Sequence, residues 1–176
     1  MKARIGVVVS VICLAIALFY GCNKKDENKK TQTEILPVFT AKLPSILTGK
    51  TMAIGGKAYI DGLNKNKMGM VLNIKNEDGF DINGWAYDDK TNTAPKMIFI
   101  ELMSVKEGAK YYVEARRSER KDVAKFFNSS GLENAGFNVK ADAKSVPAGE
   151  YRINIIQFGD RVSILTSTGS MINKVN

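Results

Sequence analysis

The run Phe80-Asp-Ile-Asn-Gly-Trp-Ala-Tyr87 and the later run Met97-Ile-Phe-Ile-Glu-Leu-Met-Ser104 decide the fold class. In the first run apolar residues alternate with polar ones, which is typical of a strand with one buried face. Trp85 points to the other face, and we expect a β-bulge at Gly84 to resolve this conflict. The second run is apolar on both faces, which indicates a central strand.

Similar short runs, separated by turn residues, continue from Thr51 to the C-terminal region. The pattern predicts an all-β protein, an immunoglobulin-like antiparallel β-sandwich with one short helix over residues 118–127. On that helix Val123, Phe126 and Phe127 are expected to share one face. Turn residues at 76–79 and 159–160 predict hairpins. The predicted strands are Lys57–Ile60, Met68–Ile74, Phe80–Tyr87, Met97–Ser104, Lys110–Ala115, Gly136–Ala141, Tyr151–Phe158 and Arg161–Thr166.

The composition restricts the possible chemistry. The chain has 176 residues, 44% of them hydrophobic and 25% charged, which suits one globular domain. It contains no histidine, so Ser-His-Asp and Cys-His hydrolases and nearly all zinc enzymes are excluded. We therefore expect no metal, no cofactor and no disulfide, because Cys13 lies in an apolar leader and only Cys22 lies beyond it.

The first 21 residues have the features of a signal peptide. Lys2 and Arg4 precede sixteen mostly apolar residues, fewer than the roughly 20 that a membrane-spanning helix needs. The stretch ends in Phe19-Tyr20-Gly21-Cys22, which resembles the lipobox of bacterial lipoproteins. That resemblance implies lipidation of Cys22, which becomes the mature N-terminus; the alternative is an uncleaved signal anchor. Asn23 in place of aspartate favours the outer membrane of the cell envelope over the inner one.

The remaining chain divides into a lipidated N-terminus with a polar tether, residues 22–49, and a β-sandwich domain, residues 50–176. Ile35, Leu36, Val38 and Phe39 interrupt the polar tether and could dock on the domain. The leader holds two of the 26 basic residues and none of the 18 acidic ones, which leaves a formal net charge of +6. An exported protein rarely meets nucleic acid, so we expect anionic lipids, anionic glycans or acidic envelope proteins as partners.

Five short elements occur in a fixed order along the domain: Tyr59-Ile-Asp-Gly-Leu-Asn64, Ile82-Asn-Gly-Trp-Ala-Tyr-Asp88, Arg120-Lys-Asp-Val-Ala124, Gly136-Phe137 and Val146-Pro-Ala-Gly-Glu-Tyr151. Together they resemble a bacterial β-sandwich module with the pattern GWAxD, RxDVA, GF and PxGxY. This module is often appended to membrane proteins of glycan assembly such as glycosyltransferases. The resemblance covers residues 57–165, with Lys121 where the module has proline. It implies a binding or accessory role and brings no catalytic residues.

Two sets of residues are candidate binding sites. Trp85, Tyr87, Asp88 and Asp89 could bind a glycan, although a single tryptophan in a sandwich is more often a core anchor. The second set is a basic segment with aromatic neighbours, which could dock an anionic partner or could simply be a solvated helix face. Its members are Tyr111, Tyr112, Arg116, Arg117, Arg120, Lys121 and Lys125.

The sequence therefore favours a non-enzymatic binding module for an envelope protein or a surface glycan. One alternative is an exclusion or immunity lipoprotein that blocks a phage receptor, a conjugation channel or a toxin. A minor alternative is a glycan hydrolase that uses two carboxylates, which must lie within about 5–9 Å in a cleft. The candidate carboxylates are Asp78, Asp81, Asp88 and Asp89, whose spacing does not match a calcium-binding loop.

Overall fold

The computed structural model describes residues 35–67, 71–75, 79–160 and 162–175. The predicted leader, Cys22 and the tether up to residue 34 lie outside the described residues, as do Asp78 and the turn at 76–78. One compact unit spans Glu34–Asn176. Within the described ranges, no helix has both the length and the apolar character needed to cross a membrane.

The described residues form ten strands and one short α-helix. The all-β class with a single short helix is therefore confirmed. The strands are β1 (Thr51–Ile54), β2 (Lys57–Leu63), β3 (Asn66–Lys67), β4 (Val71–Lys75), β5 (Phe80–Tyr87), β6 (Met97–Ser104), β7 (Lys110–Ser118), β8 (Gly136–Ala141), β9 (Gly149–Phe158) and β10 (Val162–Val175), and the helix is α1 (Lys121–Phe126).

The strands form two layers that share β7. Hydrogen bonding follows the order β1-β10-β9-β6-β7-β8-β5-β2-β3, and β4 pairs with the C-terminal part of β10. Residues 110–115 of β7 pair with β6, whereas residues 116–118 pair with β8, so β7 passes from one layer to the other. We call β2, β3, β5 and β8 the β5 layer, and β1, β4, β6, β9 and β10 the β9 layer.

The main core lies between these layers, and a smaller apolar cluster covers the outer face of each. Strand β6 contributes Ile98, Ile100 and Leu102 to the main core and Phe99 to the outer cluster of the β9 layer. The prediction that both faces of this strand are buried is therefore confirmed. The outer cluster of the β5 layer is built where α1 packs on β5.

The predicted bulge at Gly84 needs correction. The alternation in β5 is regular, with Ile82 and Ala86 in the main core and Trp85 in the outer cluster under α1, so no bulge forms at Gly84. The register shift lies instead in β2, between Ile60 and Gly62.

The turn at 76–79 does not join a hairpin, because both edges of β5 are occupied by β2 and β8 and β4 pairs in parallel with β10. The hairpin between β9 and β10 is confirmed. Strand β1 also pairs in parallel with β10, so the sandwich is not purely antiparallel. The immunoglobulin-like topology stays a prediction.

Residues 35–50, here called the N-terminal strap, pack on both layers. Phe39 is 2% exposed, and its ring meets that of Phe80 edge-on at 5.0 Å. Thr40 and Tyr112 exchange two backbone hydrogen bonds, at 3.0 and 2.8 Å. Leu47 is buried in the outer cluster of the β9 layer. The strap is therefore part of the folded unit, although the sequence analysis assigned residues 22–49 to the tether.

Candidate interaction surface

Four aromatic rings meet on the outer face of the β5 layer. Trp85 lies opposite Tyr59 in the pairing of β5 with β2, and their ring centroids are 6.2 Å apart with planes 27° apart. Tyr87 is stacked at 5.8 Å, and Phe127 meets Trp85 edge-on at 5.6 Å. Aromatic pairs at these separations attract one another, so Trp85 is the centre of a connected aromatic cluster.

A fifth ring, Phe126, contacts Phe127 and is 81% exposed. Tyr59 is 54% exposed, Trp85 and Phe127 are half-buried, and Tyr87 is buried. We call Tyr59, Trp85, Phe126 and Phe127 the aromatic surface. Beside it lies a shallow depression of about 280 Å³. The depression is lined by Trp85, Arg120, Asp122, Val123, Phe126 and Phe127.

The exposure of Phe126 corrects the prediction that Val123, Phe126 and Phe127 share one face. Val123 is buried and Phe127 is half-buried, four residues apart on the covered face of α1. Phe126 is the last residue of the helix, and its ring contacts Phe127 edge-on at 4.9 Å. The sequence alone does not indicate that Tyr59, Phe126 and Phe127 are surface aromatics.

Arg120 is held by two carboxylates at the edge of the aromatic surface. Its Nε and Nη2 donate to the two carboxylate oxygens of Asp122, both at 2.8 Å, and its Nη1 donates to Asp61 Oδ2 at 2.6 Å. A bidentate arginine–carboxylate pair has a fixed geometry. Arg120 crosses over Gly136, where a side chain would collide with it. This network therefore fastens the start of α1 to β2.

The hydrogen bonds of this network shift the pKa values of Arg120 and Asp122. The hydrogen bond that Arg120 donates to Asp122 and the charge of Asp61 raise the pKa of Arg120 above its ordinary value, despite partial burial. The hydrogen bond from Arg120 lowers the pKa of Asp122 to about 2. Asp122 therefore stays ionised at every pH from neutral down to about 3, and its pairing with Arg120 persists over that range.

The predicted basic segment separates into several places. Lys121 and Lys125 are exposed on α1, where Lys121 pairs with Glu119 at 3.2 Å. Arg117 is exposed near α1, and its Nη2 donates to the backbone oxygen of Asn134 at 3.1 Å. Arg116 instead lines a separate cavity of about 470 Å³ beside the strap. Arg120 belongs to the carboxylate network.

Tyr111 and Tyr112 do not supply the aromatic part of this surface. Tyr111 packs edge-on against Tyr151 beside the main core, with centroids 6.0 Å apart. Tyr112 is buried on the outer face of the β9 layer, next to the buried Glu101. Burial and the nearby Glu101 raise the pKa of Tyr112 to about 12. Phe126 and Phe127 follow Lys125 directly in sequence and are the aromatic residues that belong to the surface instead.

The four residues predicted as a glycan site do not come together as one surface. Tyr87 is 2% exposed beneath α1. The carboxylate of Asp88 already accepts hydrogen bonds from the Lys90 amide and the Thr91 hydroxyl, both at 2.9 Å. Asp89 is exposed in the same turn. Of the four, Trp85 alone contributes to the aromatic surface.

Several residues of the short elements that resemble a known module have packing or hydrogen-bonding roles in this fold. The phenol of Tyr151 donates to the backbone oxygen of Pro147 at 2.9 Å, a bond of the kind found at tyrosine corners of sandwiches. Val123 and Ala124 are the buried residues of α1, and Phe137 lies in the main core. These contacts explain the residues locally, while the resemblance itself stays a prediction.

The described part of the chain holds no group of three or more carboxylates or thiols placed to bind a metal ion. Comparison with protein-family models, with curated proteins and with solved structures found no match.

Proposed function

We propose that this protein is a membrane-attached, non-enzymatic docking module of the cell envelope that binds an acidic envelope protein through the aromatic surface. The observation that supports this is the exposure of two aromatic side chains next to Trp85: Phe126, which lines the depression together with Trp85, and Tyr59, which stacks on Trp85. Exposed apolar rings lose their unfavourable contact with water when a partner covers them. Phe, Tyr, Trp and Arg are also the residues enriched in the buried centres of protein interfaces.

The charges around the aromatic surface suggest the nature of the partner. The ammonium group of Lys57 lies 5.7 Å from the ring centroid of Phe127, and Lys125 is exposed on α1, whereas Lys121 beside it pairs with Glu119. Asp61 and Asp122 are both engaged by Arg120. A basic rim around an apolar centre favours an acidic partner, because complementary charge speeds association and discriminates against basic proteins.

Attachment to the membrane is a separate part of the proposal. Its support is the basic leader, the apolar stretch and the Phe19-Tyr20-Gly21-Cys22 sequence. A lipid-attached domain is confined to a thin layer at the membrane, which raises its effective concentration toward partners in the same layer. A modest interface such as this one then suffices for binding in the cell.

Photo-crosslinking in intact cells tests the docking surface. The full-length protein carries p-benzoylphenylalanine in place of Phe126, which preserves an aromatic ring at that position. Ile54 is the matched control, because it is 89% exposed but lies in β1 of the β9 layer. We expect a discrete protein adduct at position 126. The adduct yield at position 54 should be at least about tenfold lower.

The adduct also identifies the class of partner. Mass spectrometry of the adduct should give an envelope protein whose net charge is negative. Equal adducts at both positions, or none at position 126, contradict the proposal. An adduct that resists protease but is removed by glycosidases would replace the protein partner with a surface glycan.

A further inference from the structure

The outer face of the β9 layer is crossed by the N-terminal strap but is not covered completely. Thr40 is bonded to the backbone of β7, and Leu47 is buried in the outer cluster. Farther along, the ammonium group of Lys50 lies 5.5 Å from the ring centroid of Phe158, the last residue of β9. The strap therefore runs across this face from β7 to the end of β9. We call the outer face of the β9 layer, together with residues 40–50, the strap face.

Large apolar side chains are exposed on the strap face. Ile54 of β1 pairs with Leu165, which packs against the outer cluster, so both residues lie on the outer side of the sheet. The same alternation applies to Val71 of β4, because its partner Met171 directly precedes the core residue Ile172. The exposed apolar residues of this face include Leu43, Ile46, Ile54 and Val71. Such groups are stabilised when another surface covers them.

One cross-strand row of the strap face combines apolar and basic side chains. In the pairing of β7, β6, β9, β10 and β4 the row consists of Lys110, Met103, Arg152, Met171 and Val71. Residues paired in this way stand side by side on one face of a sheet. Lysine and arginine side chains next to apolar ones are typical of protein surfaces that lie in the interface of an anionic membrane.

Among the described residues, basic side chains outnumber acidic ones on the strap face. The basic residues are Lys42, Lys50, Lys75, Lys110 and Arg152, and the acidic residues are Glu101, Glu114 and Glu150. Glu101 is buried and is paired with Lys110 at 3.2 Å. Glu114 lines the cavity beside the start of the strap, and Glu150 lies at the start of β9. Neither of these exposed carboxylates belongs to the row around Arg152.

The distance along the chain from the proposed anchor indicates what covers this face. Residues 23–34 separate Cys22 from Ile35, the first described residue of the strap. Even a fully extended chain of this length spans only about 45 Å. The strap therefore begins close to the bilayer, and the effective concentration of lipid near the strap face is high. A bilayer with anionic headgroups can bury the apolar side chains and bind the basic ones at the same time.

We propose that the strap face rests on the surface of an anionic bilayer, an inference that depends on the membrane attachment proposed above. Ile46, Ile54 and Val71 enter the headgroup region, while Lys42 and Arg152 lie among the lipid phosphates. Amphipathic surfaces bind membranes in this way, with apolar groups below the headgroups and basic groups at their level. The aromatic surface lies on the outer face of the other layer, so it remains accessible to its protein partner.

Photo-crosslinking to lipids tests this orientation. The full-length protein with p-benzoylphenylalanine at position 54 or 126 is reconstituted with vesicles of phosphatidylcholine that contain about 30 mol% phosphatidylglycerol, an anionic lipid. The two positions are matched, because Ile54 is 89% exposed and Phe126 is 81% exposed, on different layers. We expect lipid adducts at position 54, identified by mass spectrometry of the intact protein. The yield of lipid adducts at position 126 should be at least about tenfold lower.

Charge reversal tests the contribution of the basic side chains. Arg152→Glu should lower the yield of lipid adducts at position 54 at least about threefold, because the anionic lipids repel the new carboxylate. Lys90→Glu is the matched control. Lys90 is exposed in the turn after β5, and this turn is bonded to the loop after α1 through Ala94 and Gly131, away from the strap face. Lys90→Glu should therefore leave the yield at position 54 unchanged.

Flotation of the vesicles separates the attachment from the orientation. Protein that does not float with the vesicles overturns the membrane attachment and the orientation together. Protein that floats but gives equal lipid adducts at positions 54 and 126 overturns the orientation alone. An undiminished yield with Arg152→Glu overturns the role of the anionic headgroups. A dominant adduct between two copies of the chain at position 54 would make a second copy, and not the bilayer, the partner of the strap face.

Discussion

Gly84 determines how closely β5 packs against β2 and β8. A side chain at this position would collide with the backbone oxygen of Tyr59 and press on the ring of Phe137. Backbone atoms cannot move aside as the end of a flexible side chain can. The requirement for glycine here is therefore steric, and it lies directly beside Trp85.

We expect Gly84→Ala to lower the free energy of unfolding by at least about 2 kcal/mol, because overpacking in a rigid site forces the strands apart. Urea denaturation monitored by circular dichroism measures this change. A loss below about 0.5 kcal/mol would mean that β2 can move away without cost, which would contradict the close packing of the two strands.

Asp122 connects the helix to the pH dependence of stability. Its pKa falls from an ordinary value of 3.8 to about 2 in the folded protein, because Arg120 donates to it. A group whose folded pKa is lowered stabilises the protein above its unfolded pKa, and this contribution disappears as the pH falls through the folded pKa. The stabilisation is therefore complete above about pH 4 and is lost toward pH 2.

Asp122→Asn should consequently have a lower melting temperature than the unmodified protein at pH 6, with a difference that closes between about pH 4 and pH 2. Differential scanning fluorimetry across this range measures it. Asp89→Asn, in an exposed turn, is the control, and its melting temperature should change with pH as that of the unmodified protein does. A difference for Asp122→Asn that does not change with pH would exclude the ionised pair as its cause.

Among the elements, the N-terminal strap is the one that the sequence described least well. Phe39 lies between proline- and threonine-containing segments without strand periodicity, so no local pattern predicts its burial. It is buried because β7 leaves β8 unpaired where it crosses between layers, and the strap bonds there to Tyr112 and Asp142. Such a gap exists only in the assembled sandwich.

We expect Phe39→Ala to cost about 3–5 kcal/mol, the usual penalty for removing a buried aromatic ring. Val38→Ala is the control, because Val38 is exposed in the same segment and should change stability by less than about 0.5 kcal/mol. Equal, small effects in urea denaturation would show that the strap is only a tether.

Elements with strong local signals were predicted well. The bounds of β5, β6 and β8 match the structure, because each is a continuous strand-like run ended by turn residues. Strand β10 was predicted to end at Thr166 but continues to Val175 through an irregular stretch that contains Gly169. Polar residues and a glycine weaken the local signal there, and pairing with β4 and β9 compensates for it.

The candidate surface was predicted only in part. Trp85, Lys121 and Lys125 were identified from the sequence, whereas Tyr59 joins Trp85 solely through the pairing of β2 with β5. Tyr59 and Trp85 are 26 residues apart in sequence, so no short-range pattern indicates that their strands pair. Tyr112 was assigned to this surface because it precedes the basic run, but the passage of β7 between layers places it on the opposite outer face. Recognising β2 and β5 as partners would have identified Tyr59.

At the scale of the whole molecule, the docking surface and the membrane anchor act on binding in different ways. Phe126→Ala removes an exposed ring, so it should leave the melting temperature nearly unchanged while weakening partner binding about 30-fold or more. Surface plasmon resonance with the partner identified by crosslinking measures this. Lys125→Ala is the control at the basic rim, where loss of one exposed charge should mainly slow association.

Cys22→Ser tests the anchor, and it should produce the opposite combination of effects. Without the cysteine no lipid can be attached, so we expect the protein to leave the membrane fraction or to remain as an unprocessed precursor. The folded unit over residues 34–176 is unaltered, so the melting temperature and the affinity for the partner in solution should match those of the unmodified protein.

Crosslinking from position 126 in cells should nevertheless fall, because the effective concentration that the membrane provides is lost. Fractionation and the mass shift after globomycin treatment are the measurements. If Cys22→Ser stays with the membranes and shows the same globomycin response as the unmodified protein, the anchor lies elsewhere; if only its crosslinking is retained, docking does not depend on the membrane.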